Sequence, residues 1–250
     1  MYVLIGECRL SKAHRKRPNP PASARIRQHA TSLQARELRE IYDRLFAAYG
    51  PQHWWPARTK TEIVVGAILT QNTAWGNVER AIANLRAAKT LNWRSLRDVS
   101  QARLEELIRP AGTFRVKARR LKAFVDCLWK EHGGSLASMV GGPLEAARAR
   151  LLAVPGIGPE TADAILLYAG KRPTFVVDAY TVRVLRRHFI IDEKAAYETV
   201  RRIFLDALPP DVPTLNEYHA LLVELGKRHC RKAARCDGCP LAGLPHDERL

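Results

Sequence analysis

The chain has 250 residues, enough to bury one substantial hydrophobic core or two smaller ones. It carries 41 lysines and arginines against 25 aspartates and glutamates, so its formal net charge of +16 predicts an anionic partner. A membrane partner would need an apolar run of about 18 residues or a basic amphipathic anchor, and the sequence contains neither. It shows no signal-peptide pattern either, so we expect a cytoplasmic protein with reduced cysteines.

The first 33 residues mix many cations with three prolines and show no sustained hydrophobic periodicity. This composition predicts a basic, disordered tail over residues 1–33. Such a tail could add non-specific attraction to phosphates.

From residue 35 onward, hydrophobic residues recur at helical spacing in nearly every segment; in the first segment, one stripe contains Leu38, Ile41, Leu45 and Phe46. Several segments open with Ser, Thr, Asp or Pro and close at Gly or Pro, as helices do. No segment has the alternating pattern of a strand. The sequence therefore predicts an all-α fold of about ten helices.

Three of the five tryptophans lie early in the helical region: Trp54 and Trp55 precede a proline, and Trp75 follows Gln71 and Asn72. Aromatic rings beside a basic surface are suited to stacking on a base that has left a DNA duplex. Core packing explains each tryptophan equally well, so the local sequence leaves both interpretations open.

Two amphipathic helical patterns within LEAARARLLAVPGIGPETADAILLYAG are joined by the turn V-P-G-I-G. Gly156 and Gly158 permit the positive φ that a sharp turn needs, and Pro159 suits the first position of the second helix. Such a turn leaves amide groups at a helix N-terminus, where they can bind a phosphate. We therefore expect Gly156, Ile157 and Gly158 to contact a nucleic-acid backbone.

Asp178 follows the apolar run TFVV and precedes a helical segment, so it is predicted to cap that helix. The helix dipole and the backbone donors at such a position keep a carboxylate ionised. An ionised carboxylate can also stabilise positive charge that develops nearby in a reaction.

Three of the five cysteines lie near the C-terminal end in the pattern C-x5-C-x2-C-P: Cys230, Cys236 and Cys239. Thiolates at this spacing can hold a soft metal ion or a cluster. Nearby cations could face phosphate or form a solvated face: Lys227, Arg228, Arg231, Lys232 and Arg235. Cys127, on a predicted helix, is interpreted as a small apolar residue.

Residues 154–188, from VPGIG through Asp178 to RRH, resemble the helix-hairpin-helix, Gly/Pro-rich loop and aspartate of the endonuclease III superfamily of DNA glycosylases. The resemblance extends upstream to ILTQNTAW and downstream to the cysteines, over residues 35–240. It implies two helical lobes with the damaged base between them. We expect one lobe over residues 60–165 and a second over residues 34–59 and 166–250.

The resemblance places Asp178 in the cleft and gives it the catalytic role of stabilising the oxocarbenium-like sugar and orienting or deprotonating water. Family members that also cut the strand carry a lysine two residues after the second hairpin glycine, and this chain has Glu160 there. A carboxylate cannot form an imine, so we expect a monofunctional glycosylase with weak or absent AP-lyase activity. Lys171 or another lysine could substitute from a different position.

Within the superfamily, W-W-P, L-T-Q-N-T plus an aromatic, G-I-G-x-E and A-D-A-I-L-L-Y are most similar to the 3-methyladenine DNA glycosylase branch. That similarity implies that Trp54, Trp55 and Trp75 form a pocket for an alkylated purine, whose cationic ring is attracted to aromatic faces. It also implies that Gln71 enters the duplex near the vacated base, with Asn72 beside it in the substrate site.

The first gap between the cysteines is one residue shorter than in the family's iron–sulfur loop, and the fourth cysteine position falls on Pro245. His246 is the expected fourth ligand, with Asp247, Cys8 or solvent as weaker alternatives. A structural [4Fe–4S] cluster is our first expectation, a Cys3His zinc site the second and a loop without metal the third.

The expected partner is double-stranded DNA containing damaged bases, bound by a monomer on the nucleoid. The expected function is base excision repair by a monofunctional glycosylase. The alternatives are a bifunctional glycosylase/AP lyase for oxidised pyrimidines and a non-catalytic helix-hairpin-helix DNA-binding protein. Asp178 and Gln71 argue against the second alternative, whereas the altered cysteine loop keeps it open.

Overall fold

The computed structural model describes residues 22–249, with side chains from residue 33 onward. This part of the chain forms twelve α-helices: α1 (Ala22–Tyr49), α2 (Lys60–Leu69), α3 (Trp75–Ala87), α4 (Trp93–Asp98), α5 (Gln101–Leu107), α6 (Phe114–His132), α7 (Leu136–Met139), α8 (Leu144–Leu152), α9 (Pro159–Ala164), α10 (Ala179–Arg187), α11 (Tyr197–Ala207) and α12 (Val212–Arg228). A 3₁₀ turn at Arg109–Ala111 precedes α6, and a π-helical turn at Ile165–Ala169 continues α9.

The described residues contain no strand, which confirms the all-α prediction. Helix α1 begins at Ala22, so the last part of the segment that we predicted as a tail is helical. The remainder of that segment, including Cys8, lies outside the described residues. In the described part, no helix is both long and apolar enough to cross a membrane.

Side-chain caps set the start of several helices, as their sequences indicated. The Thr59 hydroxyl accepts a hydrogen bond from the Glu62 amide (3.1 Å) at the start of α2, and the Asp211 carboxylate accepts one from the Thr214 amide (2.9 Å) at the start of α12. Each cap satisfies an amide that has no partner within its own helix. Each cap therefore fixes the residue at which its helix begins.

The apolar stripe of α1 is buried at Leu38, Ile41 and Leu45, as expected. Phe46, which we placed on the same stripe, is 39% exposed and stacks on Tyr42 (centroids 5.8 Å apart). The stripe is thus narrower than the hydrophobic pattern suggested.

The helices pack in two groups. In one group, α1 packs against α11 and α12, and α10 packs against α12. In the other, α2 packs against α3 and α6, and α8 packs against α9. The π-helical turn contacts α2 and α9 as well as α12, so it lies where the groups meet. We retain the predicted division into two lobes as a proposal because it follows these packing groups.

A buried carboxylate, Asp163 of α9, joins parts of both groups. It is fully buried and accepts hydrogen bonds from Arg148 of α8 (3.0 Å), the Thr174 hydroxyl (2.7 Å) and the Tyr197 hydroxyl of α11 (2.9 Å). Arg201 of α11 forms an ion pair with it at 3.3 Å. Because Thr174 lies four residues before Asp178, this network also fixes the chain that leads to α10.

We expect Asp163→Ala to lower the free energy of unfolding by about 3–5 kcal/mol, because it leaves two buried arginines without the buried counter-ion that they share. Glu198, which also pairs with both arginines, is 54% exposed. Glu145→Ala is the matched control: it removes a carboxylate that pairs with Arg201 at 2.9 Å but is 68% exposed, and the expected loss is below about 1 kcal/mol. Denaturant unfolding followed by circular dichroism measures both. Equal stability of the two variants would contradict this account.

Candidate nucleic-acid interface and active site

The predicted hairpin is formed by α8, the turn at residues 153–158 and α9. Gly156 has φ +86°, a backbone conformation that other residues rarely adopt, and a Cβ atom there would lie 2.4 Å from the Arg120 side chain. Both the backbone conformation and the close contact therefore favour glycine at this position. The Ile157 amide donates to the Val154 carbonyl (3.0 Å), whereas the Gly156 and Gly158 amides have no acceptor among the described residues. The turn thus offers free donors at the start of α9, as a phosphate would require.

Gln71, just after α2, lies against this hairpin. Its side-chain amide donates to the Gly156 carbonyl (3.1 Å) and the Thr161 hydroxyl (2.9 Å), and its carbonyl accepts a hydrogen bond from Arg120. Asn72 is exposed in a left-handed conformation with φ +52°. The structure therefore brings both predicted residues to the hairpin, together with a cation, Arg120, that sequence reasoning missed.

A buried lysine holds the segment after α2 that carries Gln71 and Asn72. Lys117 is 1% exposed, and its ammonium donates to the Leu69 carbonyl (2.7 Å), the Ala111 carbonyl (2.8 Å) and the Thr73 hydroxyl. Burial, with a smaller effect from the charge of Arg120, lowers the pKa of Lys117 to about 8. The lysine thus closes the end of α2, from which Gln71 and Asn72 extend.

Asp178 caps α10, as its sequence position predicted. Its Oδ1 accepts a hydrogen bond from the Thr181 amide (2.8 Å), and its side chain is 15% exposed. Burial alone would raise the pKa of Asp178, but His219 and the Thr181 donors stabilise the charged form and lower the pKa overall. The site therefore holds an ionised carboxylate that is largely withdrawn from water.

Two residues that sequence reasoning missed lie behind Asp178. The Nε2 atom of His219, on α12, is 3.6 Å from Asp178 Oδ2, and its Nδ1 is 2.6 Å from the Tyr168 hydroxyl. Both side chains are buried, at 5% and 1% exposure. His219 could have been noticed, because it is a polar residue one helical turn from Leu215 and Leu222 on the apolar face of α12.

The three predicted pocket tryptophans lie together. The ring centroids of Trp54, Trp55 and Trp75 are 5.2 to 5.8 Å apart, and each ring is half-buried. Trp55 also packs against Tyr168, with centroids 5.0 Å apart. The tryptophan cluster is thus connected through Tyr168 and His219 to Asp178.

Glu160, at the predicted lyase-lysine position, is on the first turn of α9. Glu160 is exposed, but neighbouring protein atoms partly shield its carboxyl from water, and this shielding together with the charge of Asp178 raises the pKa of Glu160. His219 opposes this rise. The two carboxyl groups therefore interact electrostatically: the pKa of Glu160 is raised, whereas the pKa of Asp178 is lowered. Lys171 is exposed in the loop after the π-helical turn and has φ +52°.

The five predicted DNA-facing cations at the end of α12 and in the following loop are all exposed: Lys227, Arg228, Arg231, Lys232 and Arg235. The Lys227 ammonium lies 5.4 Å from the centre of the Trp54 ring. This contact places one end of the basic surface beside the tryptophan cluster.

The predicted metal ligands also meet. One pocket is lined by the three cysteines and His246, together with His188 and Arg187. Buried Arg187 donates to the Cys230 sulfur (3.2 Å). The Asp247 carboxylate is instead paired with Arg249 (3.0 Å), and the Pro245 carbonyl accepts a hydrogen bond from His188 (3.0 Å).

The donor atoms of this pocket are unevenly spaced. Cys236, His246 and Glu248 have ligand atoms within 4.8 Å of one another, and Glu248 was not predicted. Among the described residues, the three thiols do not form such a close group. A single ion shared by all three cysteines therefore does not fit this spacing, whereas Cys236, His246 and Glu248 are close enough to hold one ion.

The sequence profile of the HhH-GPD superfamily of base excision DNA repair proteins matches residues 65–210. A protein of Methanocaldococcus jannaschii named as a DNA repair glycosylase is 49% identical over 204 residues, which are 81% of this chain and 92% of that protein.

Solved structures show the same fold. The 3-methyladenine DNA glycosylase of H. pylori bound to 1,N6-ethenoadenine aligns with a TM-score of 0.67 and 26% identity, over 78% of this chain and 97% of that one. A non-covalent endonuclease III–DNA complex aligns with a TM-score of 0.72 and 22% identity, over 84% and 94%. At 22% identity, the similarity to the endonuclease III complex concerns the fold alone.

Proposed function

The chain belongs to the HhH-GPD superfamily of base excision DNA repair proteins, and from that membership we propose that it is a monofunctional DNA glycosylase that hydrolyses an alkylated purine base from double-stranded DNA. The observation that carries this proposal is the ionised, largely water-excluded Asp178, which His219 and Tyr168 connect to the tryptophan cluster. The proposed enzyme acts as a monomer in the cytoplasm, on the nucleoid.

Asp178 supplies the charge that the reaction needs. Breaking the glycosidic bond develops positive charge on the deoxyribose, and a preorganised carboxylate stabilises that charge at little reorganisation cost. The same carboxylate orients or deprotonates the water that attacks the sugar. Glu160, which cannot form an imine, leaves water as the nucleophile.

The tryptophan cluster is the proposed base pocket. A flipped base must regain the stacking that it loses on leaving the duplex, and an alkylated purine adds a cationic ring that aromatic faces attract. The contact of Lys227 with Trp54 shows that one of these faces already accepts a cation. The H. pylori relative, whose solved structure holds 1,N6-ethenoadenine, supports a modified purine as the substrate class.

The proposed DNA-binding surface combines the free amides of the hairpin turn with exposed cations. The amides of Gly156 and Gly158 contact one phosphate, and the basic loop around the cysteines contacts others. Ile157, which we also expected at the phosphate, lies between them, but its amide is already paired with the Val154 carbonyl. Gln71 and Asn72, beside the hairpin, fill the space that the flipped base leaves.

The pocket that Cys230, Cys236, Cys239 and His246 line fits an iron–sulfur cluster, with His246 as the fourth ligand. Arg187 already donates to one of these sulfurs, as is favourable for a thiolate ligand. The cluster would hold the basic loop in shape. No catalytic step requires it.

The first prediction from the proposed function concerns the substrate and the nucleophile. Duplexes containing 3-methyladenine, ethenoadenine or thymine glycol are incubated with the protein and then treated separately with alkali and borohydride. We expect alkali-labile abasic sites from the alkylated purines and no borohydride-trapped adduct, because Glu160 occupies the position of the nucleophilic lysine.

Glu160→Lys is the matched control, since an amine at that position should yield a trapped adduct. A trapped adduct with the unmodified protein, formed on thymine glycol, would favour the bifunctional alternative. DNA binding without base release from any duplex would favour the non-catalytic one.

The second prediction concerns Asp178. The Asp178→Asn variant should lose base release by at least about 100-fold in single-turnover assays, because it removes the charge that stabilises the transition state. Its affinity for lesion-bearing DNA should stay within a few-fold of the original, since the side-chain shape is kept. Full activity in this variant would remove Asp178 from the mechanism.

The third prediction concerns the cluster. Protein purified without oxygen should be brown, with broad absorbance near ~400 nm and about four iron atoms per chain. His246→Ala should release iron faster, whereas Cys127→Ser, which lies outside the pocket, should not. One equivalent of zinc without iron would defeat the cluster assignment.

A further inference from the structure

We propose that Tyr168 and His219 position the catalytic carboxylate: Tyr168 holds His219 in the tautomer whose Nε2–H faces Asp178. This inference rests on the proposed role of Asp178. It explains why the polar side chains of Tyr168 and His219 are buried beside each other.

The contacts form a line across three elements. The Tyr168 hydroxyl, in the π-helical turn, is 2.6 Å from His219 Nδ1, and His219 Nε2 is 3.6 Å from Asp178 Oδ2 at the start of α10. The other Asp178 oxygen is occupied by the Thr181 amide. His219 is therefore the group placed to contact the second oxygen from the protein side.

The Tyr168 hydroxyl decides which nitrogen of His219 carries the proton. Burial, together with the charge of Asp178, raises the pKa of Tyr168 well above its usual value, so the phenol stays protonated. Among the described residues, His219 Nδ1, at 2.6 Å, is the one acceptor within reach of this hydroxyl. The buried phenol therefore leaves its proton unpaired unless it donates to Nδ1, which can accept only through a free lone pair. The proton of a neutral His219 must then be on Nε2, on the side of Asp178.

Pairing with the Asp178 carboxylate would satisfy the Nε2 atom of His219. This atom is buried and has no hydrogen-bond partner among the described residues, and 3.6 Å is slightly too long for a hydrogen bond. A buried unpaired donor is costly, and a small approach of the two groups would create a charge-assisted hydrogen bond. Such contacts often tighten only when the substrate is bound.

The surroundings restrict both rings. Phe175 packs edge-on against His219 (centroids 6.2 Å apart), and Trp55 packs against Tyr168 (5.0 Å). Among the described residues, the titratable groups that interact with Asp178 are His219, Tyr168 and, from α9, Glu160. A donor from His219 holds the Asp178 oxygen in place and favours its ionised form against the nearby Glu160.

The direct test reads the tautomer by ¹⁵N NMR of the histidine rings in the full-length protein. We expect His219 to be protonated at Nε2 in the original protein. In Tyr168→Phe, which removes one oxygen atom, a substantial Nδ1–H population should appear. An Nδ1–H tautomer in the original protein would overturn the proposal.

The second readout is the pH profile of single-turnover base release. Activity falls as Asp178 becomes protonated, and loss of a donor raises the pKa of Asp178, so Tyr168→Phe and His219→Leu should shift the acid limb to higher pH. Their rates near neutral pH should fall at least about tenfold, as expected when a hydrogen bond to a charged group is lost. DNA affinity should change little.

His219→Gln is the conservative control, because its side-chain amide can still donate towards Asp178; it should recover most of the rate that His219→Leu loses. Folded variants with the original rate and acid limb would refute the positioning role. If the original protein releases no base from any duplex, the proposed function fails. The NMR result still decides the tautomer in that case.

Discussion

Asp163 has no contact with water, and its two oxygens accept hydrogen bonds from α8, from the loop before Asp178 and from α11. A carboxylate in this environment is stable only while its cationic partners remain in place. The hairpin, the segment that carries Asp178 and the helical group of α11 are therefore held in one arrangement. The position of the Asp178 carboxylate, the proposed catalytic group, therefore depends on this network as well as on the local cap of α10.

Within that frame, Asp178 meets two opposing demands. It must be withdrawn from water to act strongly on a developing charge, yet withdrawal from water favours its neutral form. The Thr181 amide and the nearby His219 offset the burial, so the carboxylate stays ionised. Trp55 of the tryptophan cluster packs against Tyr168, so the proposed base pocket is connected through Tyr168 and His219 to Asp178.

Local rules predicted the hairpin turn and the cap at Asp178, because both depend on residue types at fixed spacing. The clustering of the tryptophans was inferred from family resemblance, since core packing explained each of them equally well. His219, Lys117 and Asp163 were missed because each looks like an isolated polar residue in a helical pattern. Their partners are distant in sequence: Lys117 Nζ, for example, meets a carbonyl 48 residues away.

The central claim is that Asp178 is an ionised carboxylate placed to stabilise a cationic sugar. Binding to two duplexes tests it most directly: one carries a pyrrolidine ring, positively charged at neutral pH, in place of one deoxyribose, and the other carries the neutral tetrahydrofuran of the same shape. The account predicts that the protein binds the pyrrolidine duplex at least about tenfold more tightly, and that Asp178→Asn abolishes this preference. Equal affinity of the original protein for both duplexes would contradict the claim.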